Sequence, residues 1–322
     1  MARNAMARLG LLAGFVLLPA AMPEWALADF AIYFTYAIFA ASLAFVWGHA
    51  GLLSLGHAVY FGLGAYAMSI VTLGMVPGLP DVHSTWLGLI AAIVVPGLAA
   101  LVLATFFFAG RSLKGAFFGI VTLALAFIFE RLAINSTWLG GMNGLMSVPP
   151  LTLGINGGGF EIYDPLPLYF TSLATLAAVI ALLSYVMKSR FGLALAAIRE
   201  NELRAWTLGH DVRRAKVVAF TISGMAAGLA GALFVSQFGF ASPSLIGFSL
   251  SADVLIWVAL GGRGSLIAAA LGAITVRLAE NQFSGTLGNW WPLIAGLLFM
   301  LSVIVLPRGL YGEVFARAQK RD

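Results

Sequence analysis

The residues with the clearest chemical potential lie in a glycine-rich stretch between Gly48 and Gly64, which contains His49, Ser54 and His57. Ser54 and His57 have the i,i+3 spacing of a nucleophile and its base, but no nearby carboxylate would orient that base. The two histidines lack the further imidazole or carboxylate ligands that a zinc site needs. The stretch therefore predicts neither catalysis nor a metal site.

The same stretch is too rich in glycine for a helix that only faces lipid. Glycine lets backbones approach closely, and hydroxyl or imidazole groups can bond backbone groups that a broken helix leaves free. Two interpretations stay open: close helix packing around hydrogen-bonded histidines, or a broken helix that lines a solute pathway. The candidate pathway residues are Gly48, His49, Gly51, Ser54, Gly56, His57, Gly62 and Gly64.

The composition identifies the kind of protein that holds this stretch. Of the 322 residues, 61% are hydrophobic and 10% are charged, which excludes a water-soluble globule. The apolar runs predict an all-α, polytopic transmembrane bundle that fills residues 1–322 as one domain, with about ten spans and several discontinuous helices. The predicted spans are Leu9–Met22, Phe30–Trp47, Leu52–Gly74, Trp86–Ala109, Gly115–Leu132, Leu166–Met187, Ala215–Phe238, Ser249–Gly261, Ser265–Phe283 and Trp290–Leu306.

The basic residues predict the orientation of this bundle. Apart from Arg131 and Arg277, every Lys and Arg falls on one side of the ten spans, and the opposite loops carry acidic residues. Because Lys and Arg are retained in cytoplasmic loops, both termini are predicted to be cytoplasmic, and the basic excess does not indicate nucleic acid. In an alternative interpretation the first span is a signal peptide cleaved after Ala28, which leaves the downstream orientation unchanged.

The longest polar interruption, residues 188–216, has helical character. Its apolar residues recur at spacings that favour one amphipathic helix over Phe191–Gly209, with Gly209 as its C-terminal stop. Such a helix could lie on the membrane surface or dock onto a soluble partner. The residues of the predicted apolar face are Phe191, Leu195, Ile198, Leu203 and Trp206.

Several motifs together resemble the membrane permeases of bacterial branched-chain amino-acid ABC importers, in particular the LivM-type subunit. The resemblance covers most of the chain. The motifs are Gly48 to His57, Gly140-Gly141-Met142-Asn143-Gly144-Leu145, Ala197-Ile198-Arg199-Glu200-Asn201-Glu202, Gly209 with the basic stretch after it, Ala226-Ala227-Gly228-Leu229-Ala230-Gly231-Ala232-Leu233, Gly261-Gly262-Arg263-Gly264-Ser265 and Leu306-Pro307-Arg308-Gly309-Leu310.

This resemblance implies a permease in the bacterial inner membrane that works with a LivH-type sister permease, two ATP-binding cassette subunits and a periplasmic solute-binding protein. ATP and Mg would be bound by those ATPase subunits, because this chain lacks a GxxxxGK[ST] phosphate loop and is expected to bind no cofactor. The resemblance also implies that a coupling helix contacts the ATPases. The expected coupling residues are Ala197, Arg199, Glu200, Asn201, Ala205 and Gly209.

The substrate class follows from the same resemblance, with two departures. The family commonly has an apolar third residue where Arg263 stands in Gly261-Gly262-Arg263-Gly264, and the chain lacks the usual Thr before its paired glycines at Gly140. The arginine is similar to that of urea and short-amide permeases. Branched-chain or other apolar amino acids are therefore the predicted solutes, and urea or short amides are the alternative.

A few ionisable residues interrupt the predicted spans toward their outer ends, namely Glu130, Arg131, Asp253, Arg277 and Glu280. Charges are costly in hydrocarbon, so they indicate either structural ion pairs or an outer vestibule that meets the binding protein or a zwitterionic solute. Arg277 and Glu280 have the i,i+3 spacing of a local pair. An ion-coupled carrier would be expected to place a carboxylate near mid-membrane, so this different class of transporter is disfavoured.

Overall fold

The computed structural model describes residues 2–78, 83–109, 115–152, 161–305 and 309–312, and these form a helical bundle. Apolar runs bounded by Gly, Pro and polar residues become helices, as the sequence predicts. The α-helices of these ranges are α1 (Ala2–Leu17), α2 (Glu24–Ala50), α3 (Ala58–Thr72), α4 (Thr85–Phe107), α5 (Gly115–Asn135), α6 (Pro165–Lys188), α7 (Arg190–Glu200), α8 (Glu202–Thr207), α9 (Val212–Phe238), α10 (Phe248–Gly261), α11 (Leu266–Leu287) and α12 (Trp291–Val305).

Helix α2 forms the centre of the bundle. Its sequence is apolar on every side, which is typical of a helix buried all round, and nearly every side chain from Phe34 to Val46 is fully buried. Helices α6, α9, α10 and α11 pack around it, while α3 and α4 form a second layer with α9. Small residues make this layer possible, because added side chains at Gly228 and Gly231 of α9 would meet backbone carbonyls of α4 and α3.

The expectation of ten complete spans is not confirmed. In the described ranges, five helices are long and apolar enough to cross a membrane, namely α2, α4, α5, α6 and α9. A sixth span results if α10 and α11, which meet at 116°, count as one broken crossing. The apolar part of α1 and the whole of α3 are shorter than the roughly 20 residues that a spanning helix needs. The bent pair α10 and α11 and the short α3 agree with the discontinuous helices that the sequence also predicts.

The end of the bundle away from α7 and α8 is closed by a small antiparallel sheet. Strand β1 (Leu145–Met146) pairs with β2 (Phe240–Ala241), and three glycines with positive φ, Gly140, Gly141 and Gly144, make the turn before β1. An added side chain at Gly144 would strike the Ala241 carbonyl, so the glycine allows this close approach. The sheet thereby fixes the chain that leads from α9 into α10.

Candidate functional site

The glycine-rich stretch contains a break between two helices. Helix α2 ends at Ala50, Gly51 takes a left-handed φ of 71°, and residues 51–57 are not helical until α3 begins at Ala58. A left-handed glycine is a common helix terminator, and the first part of the predicted Leu52–Gly74 span is therefore not helical. We call residues 51–57 the broken segment.

The broken segment turns back into the bundle. At its end, the His57 Nε2 atom lies 2.9 Å from the Ser42 hydroxyl of α2. From Ser42 to the end of α2 at Ala50 the helix rises by about 12 Å. Helix α3 therefore starts well inside the bundle, and the broken segment replaces the missing part of its span.

Hydroxyl groups from two distant helices bond the backbone of this stretch. The amide of Leu55 donates to Thr122 Oγ1 of α5 at 3.0 Å, and the amide of Ala58 donates to Ser251 Oγ of α10 at 3.0 Å. The sequence prediction had given this role to Ser54 and the histidines, whereas Ser54 Oγ is buried without a partner in the described residues. The sequence gives one weak signal for the role of Thr122 and Ser251, namely that they are hydroxyl residues in otherwise apolar helices.

His57 is a fully buried member of a serine network. The Ser42 hydroxyl donates to the Phe39 carbonyl at 2.7 Å, and the Ser223 hydroxyl donates to the Ser42 carbonyl at 2.6 Å. Because both hydroxyl protons are used, the imidazole Nε2–H must donate to Ser42 Oγ. The ring also stacks on Phe39, with centroids 5.5 Å apart. These contacts give His57 a structural role within this chain.

Most of the candidate pathway glycines make close contacts inside the chain. Added side chains at Gly56, Gly62 and Gly64 would meet the Thr122 carbonyl, Ile246 and Gly228, respectively. Gly48 likewise lies against the backbone carbonyl of Arg263.

The residues of the broken segment that are not buried are apolar. Gly51 is exposed and the side chains of Leu53 and Leu55 are half-buried, whereas Ser54, Gly56 and His57 are buried. The two helical pathway candidates beyond it, Gly62 and Gly64, are buried too, and His49 is half-buried beside Phe45.

The region that the sequence predicts to be one cytoplasmic helix contains two helices. Helix α7 ends at Glu200, and the extended Asn201 begins α8 by accepting a hydrogen bond from the Arg204 amide at 2.9 Å. Asn is a favoured N-cap residue, so it starts a new helix here instead of continuing the old one. The prediction of a single helix over Phe191–Gly209 is therefore wrong.

The predicted apolar face is also divided between two environments. Leu195 and Ile198 of α7 are buried toward the bundle, whereas Leu203 and Trp206 of α8 are exposed, together with Leu208. Ala205 anchors α8, since it is 2% exposed and packs with Ile198 and Val212. The other expected coupling residues, Ala197, Arg199, Glu200, Asn201 and Gly209, are exposed.

An ion pair ties α8 to the start of α9. Lys216 Nζ lies 3.0 Å from the Glu202 carboxylate, and the lysine side chain is only 5% exposed. The ammonium group also lies over the Phe108 ring at the end of α4. A cavity of about 470 Å³ opens beside this junction, between Phe108, Trp206 and the turn that contains Gly209.

The five ionisable residues in the spans do not form one site. Arg277 donates to the Glu280 carboxylate at 2.6 Å, and its guanidinium lies 4.6 Å from the centre of the Tyr36 ring. Asp253 is within electrostatic range of this pair. Elsewhere, Glu130 lies against Gly247 at the start of α10, and Arg131 is exposed.

Asp253 lies deeper than its place near the start of a predicted span suggested. It follows Ser251, which holds the inner end of the broken segment, by about half a helical turn. The position of the carboxylates therefore does not disfavour an ion-coupled carrier, and the class of transporter rests on other grounds. No cluster of three or more His, Asp or Glu side chains with metal-ligand geometry occurs in the described ranges.

Comparison with known proteins supplies those grounds. Residues 27–303 match the family described as "Branched-chain amino acid transport system / permease component". Over 298 residues, the chain is 33% identical to the high-affinity branched-chain amino acid transport system permease protein LivM of Escherichia coli (strain K12), an alignment that covers 85% of this chain and 67% of that relative.

Two further relatives are also permease proteins of transport or import systems. The LivH permease protein of Escherichia coli (strain K12) is 25% identical, with 87% of this chain and 92% of the relative covered. The autoinducer 2 import system permease protein LsrC of Klebsiella pneumoniae is 37% identical over 48% of this chain and 45% of its own length. No solved structure matches the chain significantly.

A bundle of apolar helices, whose relatives are transport permease subunits and not enzymes, defines a multi-pass membrane permease. More particularly, the chain belongs to the family of branched-chain amino acid transport permeases, and its similarity to LivM makes it a LivM-type member. The resemblance stated from the sequence motifs is thus confirmed.

Proposed function

We propose that this chain is one of two membrane subunits of an ATP-driven importer in the bacterial inner membrane. It would pair with a LivH-type sister permease, receive branched-chain or other apolar amino acids from a periplasmic binding protein, and be driven by two ATPase subunits that bind ATP and Mg. The permease family supports this role, and the single structural observation that carries it is the exposed apolar surface of α8 and the turn after it.

We define this docking surface as Leu203, Trp206 and Leu208, all of which are mostly exposed. Exposed apolar residues beside a cavity are typical of a protein interface, and Trp is enriched among residues that dominate binding energy. A membrane-surface helix would instead extend one apolar stripe over several turns, whereas α8 is six residues long. We therefore assign the docking surface to the ATPases, with the exposed Ala197, Glu200 and Asn201 at its rim.

The solute would pass between this chain and the sister permease, along the side of the broken segment that faces away from the bundle. That side offers Gly51, Leu53 and Leu55, while the nearby polar side chain of His57 is engaged within the chain. A tight amino-acid site would need fixed groups for both the ammonium and the carboxylate of the solute. The apolar lining therefore supports a pathway without a tight site, with specificity left to the binding protein.

The entrance to this pathway would include the half-exposed pair Arg277 and Glu280 and the deeper Asp253. These groups present both charges to a zwitterion, and charged residues in membrane segments commonly face such a route.

The opposite end of the bundle would be cytoplasmic, with both termini on that side. Arg199 and Arg263 support this orientation, because both lie at the Gly48 end of α2 and basic residues favour the cytoplasm.

The urea or short-amide alternative rested on Arg263. Its guanidinium lies 5.5 Å from the centre of the Trp47 ring, at the turn between α10 and α11. This packing supports a role for the arginine within the described part of the chain, and it lends the urea or short-amide alternative no support.

Reconstitution tests the proposal. The chain, its sister permease, the ATPases and the binding protein are placed in liposomes, and uptake of labelled leucine, urea and acetamide is measured. We expect leucine uptake that requires ATP and is unaffected when proton and sodium gradients are dissipated. Leucine uptake by the two permeases alone, driven by an ion gradient, would contradict the proposal, and selective uptake of urea or acetamide would reassign the solute.

A further inference from the structure

The end of α2 is bonded to α7 by one arginine side chain. Arg199 is in the last turn of α7, and its Nη1 atom donates to the backbone carbonyl of Gly48 at 2.5 Å. Its Nη2 atom donates to Glu200 Oε1 at 2.8 Å. The aliphatic part of the same side chain lies against Gly51, where an added Cβ would be 3.1 Å from the arginine Cγ.

The Gly48 carbonyl is available because α2 stops two residues later. The last carbonyls of a helix have no amide partner in the next turn, and here the amides of Gly51 and Leu52 both bond back to Val46. An arginine at a helix C-terminus satisfies such a carbonyl and interacts favourably with the helix dipole. The arginine bond therefore satisfies a carbonyl that the end of α2 leaves without an amide donor.

Gly48 is also held from its other side. The backbone carbonyl of Arg263, in the turn between α10 and α11, lies where a side chain at residue 48 would be. Beyond Gly51, the chain is bonded at Leu55 by α5 and at Ala58 by α10. A displacement of α7 that keeps the Arg199 bond must therefore move the Gly48 end of the broken segment relative to its anchored far end.

We propose that Arg199 is a positioning residue that transmits movement of α7 and α8 to the broken segment, and that it does so through the Gly48 carbonyl. This inference rests on the proposed function, in which the ATPases move α8. It also changes the role of Arg199: its guanidinium faces back into the permease, while the docking surface contacts the ATPase.

The test uses the complete reconstituted complex and two readouts. The first is leucine taken up per ATP hydrolysed. The second is the ATP-dependent change in amide hydrogen exchange of residues 51–57, which a purely structural role for Arg199 would not alter. The variant Arg199→Met keeps the apolar stem against Gly51 and removes both donors, and Arg199→Lys keeps one charged donor.

We expect Arg199→Met to assemble and hydrolyse ATP, but to take up about 2- to 30-fold less leucine per ATP, in line with single positions that modulate coupling. Its broken segment should lose the ATP-dependent change in exchange. Arg199→Lys should recover at least half of both readouts. The matched control is Arg190→Gln at the other end of α7, which removes an exposed charge and should leave both readouts at the wild-type level.

The outcomes separate the two proposals. A wild-type complex without ATP-driven uptake would overturn the proposed function and this inference with it. An active wild-type complex together with a fully coupled Arg199→Met variant would overturn the inference alone. If Arg199→Met does not assemble, Arg199→Lys decides, because an uncoupled lysine variant would contradict transmission through the carbonyl bond.

Discussion

The broken segment and the docking surface are built in opposite ways. In the first, polar groups are buried among apolar helices, and the amides of Leu55 and Ala58 bond to hydroxyls of the same chain. In the second, large apolar side chains such as Trp206 are exposed, although the adjacent Ala205 is buried. The backbone of the first region is therefore bonded by other helices of the same chain, whereas the second is the region that we propose for a partner. Substitutions should therefore affect folding in one region and assembly in the other.

The largest effect is expected for Gly56→Leu in the broken segment. The added side chain would collide with the Thr122 backbone carbonyl, which cannot move without displacing α5. We expect the free energy of unfolding to fall by about 3 kcal/mol, or the protein to fail to fold. Either result should be seen as aggregation in fluorescence-detected size-exclusion chromatography. Gly14→Leu is the control, because nothing lies within 4 Å of its added Cβ. A monodisperse and stable Gly56→Leu protein would contradict the close packing assigned to this segment.

A smaller loss should follow from Ser251→Ala, which removes the acceptor of the Ala58 amide. Leaving a buried donor unsatisfied costs about 1–3 kcal/mol, so the midpoint of thermal unfolding in detergent should fall. Ser249→Ala changes an exposed hydroxyl on the same helix and should leave the midpoint unchanged. Equal midpoints for the two variants would mean that the broken segment does not depend on α10.

Trp206→Ala addresses the docking surface. The side chain is 66% exposed, so unfolding should be nearly unaffected, while binding of the ATPase subunits should weaken by about 2 kcal/mol. Co-purification of the ATPases with the permeases measures this effect. Trp25→Ala is a matched control, because Trp25 is 67% exposed at the other end of the bundle. Undiminished co-purification of Trp206→Ala would remove the docking assignment.

The smallest effect is expected at an exposed ion pair beside the docking surface. Arg214 lies 3.0 Å from Asp211, and the arginine side chain is 86% exposed. Because solvent screens such a pair, Arg214→Gln should change the free energy of unfolding by less than about 0.5 kcal/mol, as measured by thermal unfolding. A drop of more than 1 kcal/mol would show that charges, as well as apolar contacts, hold this region together.

The sequence indicated a break as one of two interpretations of the glycine-rich stretch, but not which groups bond its backbone. Glycines close together in an apolar stretch indicate a helix interruption, and Gly51 indeed ends α2. The hydroxyls of Thr122 and Ser251 carry no such local signal, because ordinary helix positions often contain Thr or Ser bonded to their own helix. Their role depends on packing between helices that are far apart in the chain.

In residues 188–216 the helical character was predicted, but the division into two helices was not. Asn201 followed by an acidic residue is a recognisable helix start, and periodicity alone concealed it. The predicted number of ten spans is likewise not confirmed in the described residues. Apolar length does not reveal whether a run crosses as one straight helix, and here α10 and α11 meet at 116° while α3 begins inside the bundle.

The bond between the Ala58 amide and Ser251 joins residues 193 positions apart, and this separation has a consequence for biosynthesis. At about 5–20 residues per second, a ribosome needs roughly 10–40 s to make the chain between them. During that interval the Ala58 amide lacks its final acceptor. Until α10 has been made, water or the insertion machinery must therefore bond the Ala58 amide at the start of α3.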